Sequence, residues 1–222
     1  MATQLNHLYN TSSLRLKTQA KPVLPTKQRT TTFCVNAVAP TSNGRELVRS
    51  GSIKAIQPRE AATAMSREGF VLLDIRPVWE REKARVKESI HVPFFIEDTD
   101  NSPITLLKKW VHFGYIGLWT GQYFTTLNTD FLKQVEEAVP DKDTKLLVAC
   151  GEGLRSMMAA SKLYYGGYKK LGWLAGGFNR VGDSDFSGVE GNEKLEFATI
   201  GGVSYYFLQL LILLRAVGTT ED

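Results

Sequence analysis

The chain has 222 residues and a mass of 24.8 kDa, room for one ordinary domain with extensions. A hydrophobic share of 43% and a charged share of 23% are globular values and exclude a disordered or fibrous chain. The formal net charge of +4 points to a nucleic-acid partner only until the basic residues are located.

Residues 1–36 hold five basic residues, Arg15, Lys17, Lys21, Lys27 and Arg29, and no acidic one. Without them 22 Lys plus Arg stand against 23 Asp plus Glu, a net charge of −1. No basic patch with interleaved aromatics remains to bind nucleic acid. The leader is also rich in hydroxyls (Thr11, Ser12, Ser13, Thr30, Thr31, Thr32) and lacks the apolar core of a secretory signal. That is the composition of an organelle transit peptide, and the early Ala2 with few arginines favours the plastid. Cleavage is expected near residues 33–37. Cys34 sits at this edge, so the processed chain keeps one thiol, Cys150, which excludes a disulfide framework. His7, His91 and His112 have no metal-ligand spacing, and neither a metal nor a cofactor is expected.

Residues 37–52 read as a polar linker. A helix starts near Pro58, with proline in its first turn, and stops at Gly69. Phe70–Ile75 is an apolar run of the kind buried in a parallel sheet. Trp79–Val86 reads as a short charged helix, and Ser89–Val92 as a strand closed by Pro93. Residues 104–124 form an insertion longer than a usual connection. Leu106, Leu107, Trp110 and Val111 make its apolar face, with Lys108, Lys109 and His112 opposite. It reads as a lid over the domain, with an interfacial segment at a membrane as the alternative. Asp130–Val139 is helical by the spacing of Phe131, Leu132, Val135 and Ala138. Lys145–Ala149 is a buried strand, Met157–Tyr165 a helix, and Leu171–Leu174 a last strand ending in Gly176-Gly177. Alternating strands and helices imply an α/β fold with a parallel sheet. Residues 183–197 read as a second linker. Residues 198–214 carry no charge and read as a membrane anchor, with a helix buried against the domain as the alternative; about 26 Å of helix only just approaches a hydrocarbon core of about 30 Å. Residues 215–222 form a tail.

The chemistry lies between the strand ending at Ala149 and the following helix, in Cys150-Gly151-Glu152-Gly153-Leu154-Arg155-Ser156. A glycine-containing loop can turn its N–H groups inward as an anion nest, and the helix N-terminus behind it adds about half a positive charge. Such a setting suits a sulfur anion, the reactive form of cysteine. The competing reading is a structural cysteine in a tight loop. Four residues separate Cys150 from Arg155, one fewer than in the tyrosine phosphatase ring that holds a tetrahedral phosphate. The tighter ring suits a single sulfur carried on the cysteine and disfavours a phosphatase or arsenate reductase.

This loop resembles that of the rhodanese family. The same resemblance runs through Asp74-Ile75-Arg76 with Glu80, His91-Val92-Pro93 and Leu174-Ala175-Gly176-Gly177. It covers residues 53–182 and is greatest for plant plastid rhodanese-like proteins. It implies a single rhodanese-like domain, a parallel sheet flanked by helices on both faces, here followed by a C-terminal hydrophobic helix. It further implies sulfur transfer through a persulfide on Cys150, with Arg155 orienting the loop or donor. Gly151, Glu152, Gly153, Leu154 and Ser156 would complete the anion-binding loop. Asp74, Arg76 and Glu80 read as a structural ion network at strand ends, with Arg76 close enough to Cys150 to help hold an anion. The implied partners are a small sulfur donor or a protein persulfide, and a plastid membrane, with the thylakoid favoured over the stroma. Glu152 departs from expectation for thiosulfate: one carboxylate about 5 Å from a dianion costs on the order of 3 kcal/mol at an effective dielectric of roughly 40. The alternative function is a binding or scaffold module with little turnover.

Overall fold

The computed structural model describes residues 40–218. The leader over residues 1–36 and the last residues of the tail lie outside these. In chain order the elements are α1 (Pro40–Arg49), β1 (Ile53–Ile56), α2 (Pro58–Ser66), β2 (Val71–Asp74), α3 (Val78–Lys83), β3 (Ala84–Val86), β4 (Ile90–His91) and β5 (Phe95–Glu97). Then follow α4 (Pro103–His112), a π turn (Phe113–Gly117), α5 (Leu118–Thr120), β6 (Thr125–Leu127), α6 (Phe131–Ala138), β7 (Leu146–Ala149), α7 (Leu154–Tyr165) and β8 (Leu171–Leu174). A 3-10 turn (Phe178–Arg180), β9 (Val189–Gly191), a second 3-10 turn (Leu195–Phe197) and α8 (Gly202–Gly218) complete the described chain.

β2 and β7 run parallel at the centre, with Leu73 opposite Val148 and Asp74 opposite Ala149. Around them a five-stranded parallel sheet takes the order β1-β8-β7-β2-β4. The central strands are apolar throughout because both their faces are covered. Leu146, Val148 and Cys150 pack with Phe131 and Val135 of α6 and Ala159 and Leu163 of α7. Leu147 and Ala149, pointing the other way, pack with Ala61 and Ala64 of α2 and with Phe178, Phe186 and Leu195. Each fully buried leucine among them contributes about 1.5–3 kcal/mol. All strands of the sheet present their carboxyl ends to one edge, and the Cys150 loop leaves β7 there.

The ends of the domain differ from the sequence reading. Residues 40–49 are helical, not linker: α1 lies on α7, Leu47 is in the core, and Gly44 stands so close to Met157 that a Cβ would need it to shift. Residues 183–197 are domain as well. Phe186 and Leu195 are buried, and β9 pairs antiparallel with β3. β3 in turn cuts short the helix expected over 79–86. Ala84 and Val86 are buried while Arg85 points out to Glu190 at 3.0 Å, a strand's period of two.

The anchor expected over 198–214 is also corrected. Ala198 is buried in the core, the chain turns at Gly202 with φ of 57°, and the helix runs from there to Gly218. No helix among the described residues is long and apolar enough to cross a membrane. The start of the apolar run belongs to the domain, which shortens what is left for lipid.

Candidate active site

The apolar strand β7 delivers Cys150 to the carboxyl edge of the sheet, fully buried. Beyond it the backbone curls around the sulfur. Gly153 N–H donates to Sγ at 3.1 Å and Ser156 N–H at 3.2 Å. The Ser156 hydroxyl lies 3.3 Å from Sγ and itself donates to the Gly153 carbonyl at 3.0 Å. Trp173 Nε1–H donates to that same carbonyl at 2.8 Å. The curl requires glycine at residue 153, where φ is 90° and a Cβ would press on the backbone of Gly176. α7 begins at Leu154, so its N-terminal dipole end lies at the sulfur.

The Gly176-Gly177 turn after β8 braces this loop from beneath. Phe178 N–H donates to the Cys150 carbonyl at 2.8 Å and Asn179 N–H to the Gly151 carbonyl at 2.9 Å. Gly177 has φ of 67°, and any Cβ there would run into the carbonyl oxygens of Cys150 and Gly151. The Gly-Gly pair is therefore a seat for the active loop.

The expected ion network divides in two. Glu80, 1% exposed, accepts from Arg155 Nη1 at 2.8 Å and Nη2 at 2.7 Å. Burial works against the Arg155 charge, but the Glu80 hydrogen bonds and charge, then Cys150, outweigh it and raise the Arg155 pKa above its ordinary value. Arg155 thus stands as a fixed cation beside the cysteine. Arg76 goes elsewhere. Its guanidinium donates to Asp74 at 2.7 Å and to the Ala84 carbonyl at 2.8 Å, and stacks 4.3 Å from the Phe178 ring. None of its described bonds goes to the Cys150 loop, so it props the strand ends and Phe178. His91 joins this network through Nε2–H, which donates to the Arg76 carbonyl at 2.8 Å.

Above the loop is a cleft of about 640 Å³. Leu154 and Arg155 form its floor, and His112, Gln122 and Tyr123 of the insertion form one wall. Thr199 and Ile200 form the other wall, with Asn179 beneath. Thr199 lies directly on Gly151, leaving no space for a Cβ there. It is tied down by its own hydroxyl to Asn179 Oδ1 at 2.7 Å and by Gln122 Nε2–H to its carbonyl at 2.9 Å. Lys83 Nζ holds the next carbonyl, of Ile200, at 2.6 Å. Thr199, Asn179 and Gln122 are not among the site residues expected from the sequence. The charge-free run around Thr199 reads as membrane, and nothing local marks it as a cover. Glu152 is exposed at the rim, so water and salt screen it more than a buried carboxylate. Among the described residues no cluster of His, Cys, Asp and Glu is placed to hold a metal ion.

A parallel α/β sheet here carries at its carboxyl edge a cysteine cradled by N–H donors, a candidate thiol-based site. The rhodanese-like domain model matches residues 57–183. Rhodanese-like domain-containing protein 10 of Arabidopsis thaliana is 55% identical over 215 residues, 97% of this chain and 95% of that protein. The chloroplastic rhodanese-like domain-containing protein 11 of the same plant is 43% identical, covering 72% of this chain and 54% of its own length. The chloroplastic protein 9 of that series is 35% identical, covering 72% of this chain and 67% of its own. The chain belongs to the rhodanese-like domain family.

Proposed function

We propose that the protein is a sulfurtransferase that moves sulfane sulfur through a persulfide on Cys150, within the plastid. The observation that carries the reading is the pair of N–H donors from Gly153 and Ser156 on Sγ, at 3.1 and 3.2 Å, beside the guanidinium that Glu80 fixes. Cys150 attacks as thiolate on the outer sulfur of a donor. The donor's bond to that sulfur breaks, and the donor leaves with the electron pair, as sulfite from thiosulfate or as a thiolate from an organic or protein persulfide. Cys150 then carries a second sulfur with the negative charge on it. An acceptor nucleophile attacks that outer sulfur and returns the cysteine as thiolate, so no external oxidant or reductant is needed. Preorganised N–H donors on Sγ lower the cost of the charge in the thiolate that attacks and in the thiolate that is returned. Arg155 orients the donor in the cleft, and Leu154 shapes its floor. Glu152 at the rim repels a dianion and turns preference toward a persulfide donor. The leader composition and the chloroplastic relatives support the plastid location.

A second reading, a binding module with little turnover, has one observation in its favour: Cys150 is fully buried, with Thr199 closing on the next residue, Gly151. Turnover with thiosulfate and with an organic persulfide, for the native chain, Cys150→Ser and Glu152→Gln, separates the two. We expect loading of sulfur on Cys150, none in Cys150→Ser, and a gain of about three- to fivefold for Glu152→Gln with thiosulfate alone, shrinking with salt. Equal turnover by Cys150→Ser removes the persulfide route. No loading from any donor leaves the binding module.

A further inference from the structure

Two apolar segments far apart in sequence meet at the mouth of the cleft, where α5 packs on the start of α8. One runs through α4 and α5, and the other is α8. They meet at a glycine contact: a Cβ on Gly121 would strike Gly201 and Gly202, and one on Gly202 would strike Leu118 and Gly121. Side chains at this contact would hold the segments apart, so glycine there lets α5 and the start of α8 touch.

That surface is strongly apolar and largely uncovered. Trp110 is 77% exposed, Tyr115 82%, Tyr206 73% and Leu211 63%. Single exposed apolar residues need no explanation, but a contiguous field of them marks an interaction site. The choice of partner follows from α8. Residues 210–214 are five consecutive apolar residues, and each is at least 41% exposed. Five consecutive residues pass through more than a full turn of about 3.6 residues, so α8 shows apolar surface on every side there. A second protein covers one side of a helix, whereas a fluid apolar medium surrounds it. The charge agrees: residues 103–120 and 199–218 contain Lys108, Lys109 and Arg215 and no acidic residue, with Lys109 alone of the two lysines paired among the described residues, to Asp98 at 3.7 Å. Tryptophan and tyrosine beside aliphatic residues and lysine suit the headgroup boundary of a bilayer.

We infer that α4, α5 and α8 form a docking face that settles into one leaflet of a membrane bearing anionic lipid, without crossing it. Because His112, Gln122, Thr199 and Ser204 of the same segments line the cleft, docking places the mouth of the active loop at the lipid surface.

The test is co-flotation of the full chain with vesicles of phosphatidylcholine alone and of phosphatidylcholine mixed with phosphatidylglycerol. The chain is compared with Trp110→Glu, Leu211→Glu and, as a control away from the face, Tyr165→Glu. All three sites are more than half exposed, and unchanged thermal melts check that each variant folds. Expected is binding that strengthens with phosphatidylglycerol, falls about tenfold in each face variant and is unchanged in Tyr165→Glu. Cys150→Ser should bind as the native chain does, which keeps this result separate from the sulfur chemistry. Undiminished binding by both face variants would assign it to another part, such as the basic leader, and overturn the proposal. So would a chain that ignores vesicles but sediments as a dimer, with Leu211→Glu restoring the monomer.

Discussion

Replacing Glu80 by glutamine tests whether the Arg155 cation is held in place from below. The carboxylate accepts two charge-assisted bonds, at 2.8 and 2.7 Å, and is 1% exposed. Glutamine keeps one acceptor and turns an NH2 group toward a guanidinium N–H. One bond of about 1.5–3 kcal/mol is lost and the other becomes weaker. Two effects oppose this loss. A buried negative charge no longer has to be desolvated, and Arg155, whose side chain is 25% exposed, turns partly to water. The net cost is about 2 kcal/mol, which in a domain of this size lowers Tm by about 4–8 °C. Calorimetry measures that fall, and mass spectrometry of Cys150 after exposure to a persulfide donor measures sulfur loading. Both should drop. An unchanged Tm refutes the energetic account of the pair. A lowered Tm with full loading confines the pair to structure and removes Arg155 from the transfer step.

Gly177→Ala should cost at least about 3 kcal/mol, because about 1–2 kcal/mol of left-handed backbone strain adds to a collision with the Cys150 and Gly151 carbonyls. Gly69→Ala has a similar φ of 76° with nothing near the new Cβ, so it carries the strain alone; equal melting of the two variants would show that Gly177 is no seat for the loop. His91 gives a pH signature. Burial pushes its pKa below the ordinary 6.5, against the opposing Arg76 carbonyl bond, so the unfolded chain takes up this proton first. Its contribution is present above pH 6.5 and is lost as pH falls through the folded value. Denaturant melts over that range should show the native chain losing stability relative to His91→Asn as pH falls, and parallel curves would contradict it.

Much of the sheet was legible because β2, β7 and β8 are continuous apolar runs bounded by glycine, proline or charge. The curled loop around Cys150 was legible because its glycines, Cys150 and Arg155 are local. What escaped depends on distant partners. β1, Ile-Lys-Ala-Ile, buries only its two ends. β3 is three residues long and exists through β9, with Arg85 and Glu190 separated by 105 positions. α1 is polar apart from a few residues such as Leu47 and owes its place to α7. Glu80 stood out in sequence, but as one of a trio with Asp74 and Arg76; only the fold shows that it crosses to Arg155. Thr199 was hidden inside an uncharged run whose hydropathy resembles a span, although its carbonyl and hydroxyl are both engaged by the domain.

The strap through Thr199 and Ile200 bears on how long a labile group would survive at Cys150. Cys150 is fully buried and the strap lies on the neighbouring Gly151, so bulk thiols and peroxides would reach the sulfur less readily while the strap is down. Three bonds from separate elements, by Gln122, Asn179 and Lys83, keep it down. At about 1 kcal/mol net for each, the lifted form amounts to roughly one molecule in a hundred or fewer. Delivery and discharge would then both wait on the same rare opening, and spontaneous loss to solvent would slow by the same factor. Closure of this kind suits a carrier that must hold its cargo until the right acceptor arrives more than a catalyst built for rapid turnover.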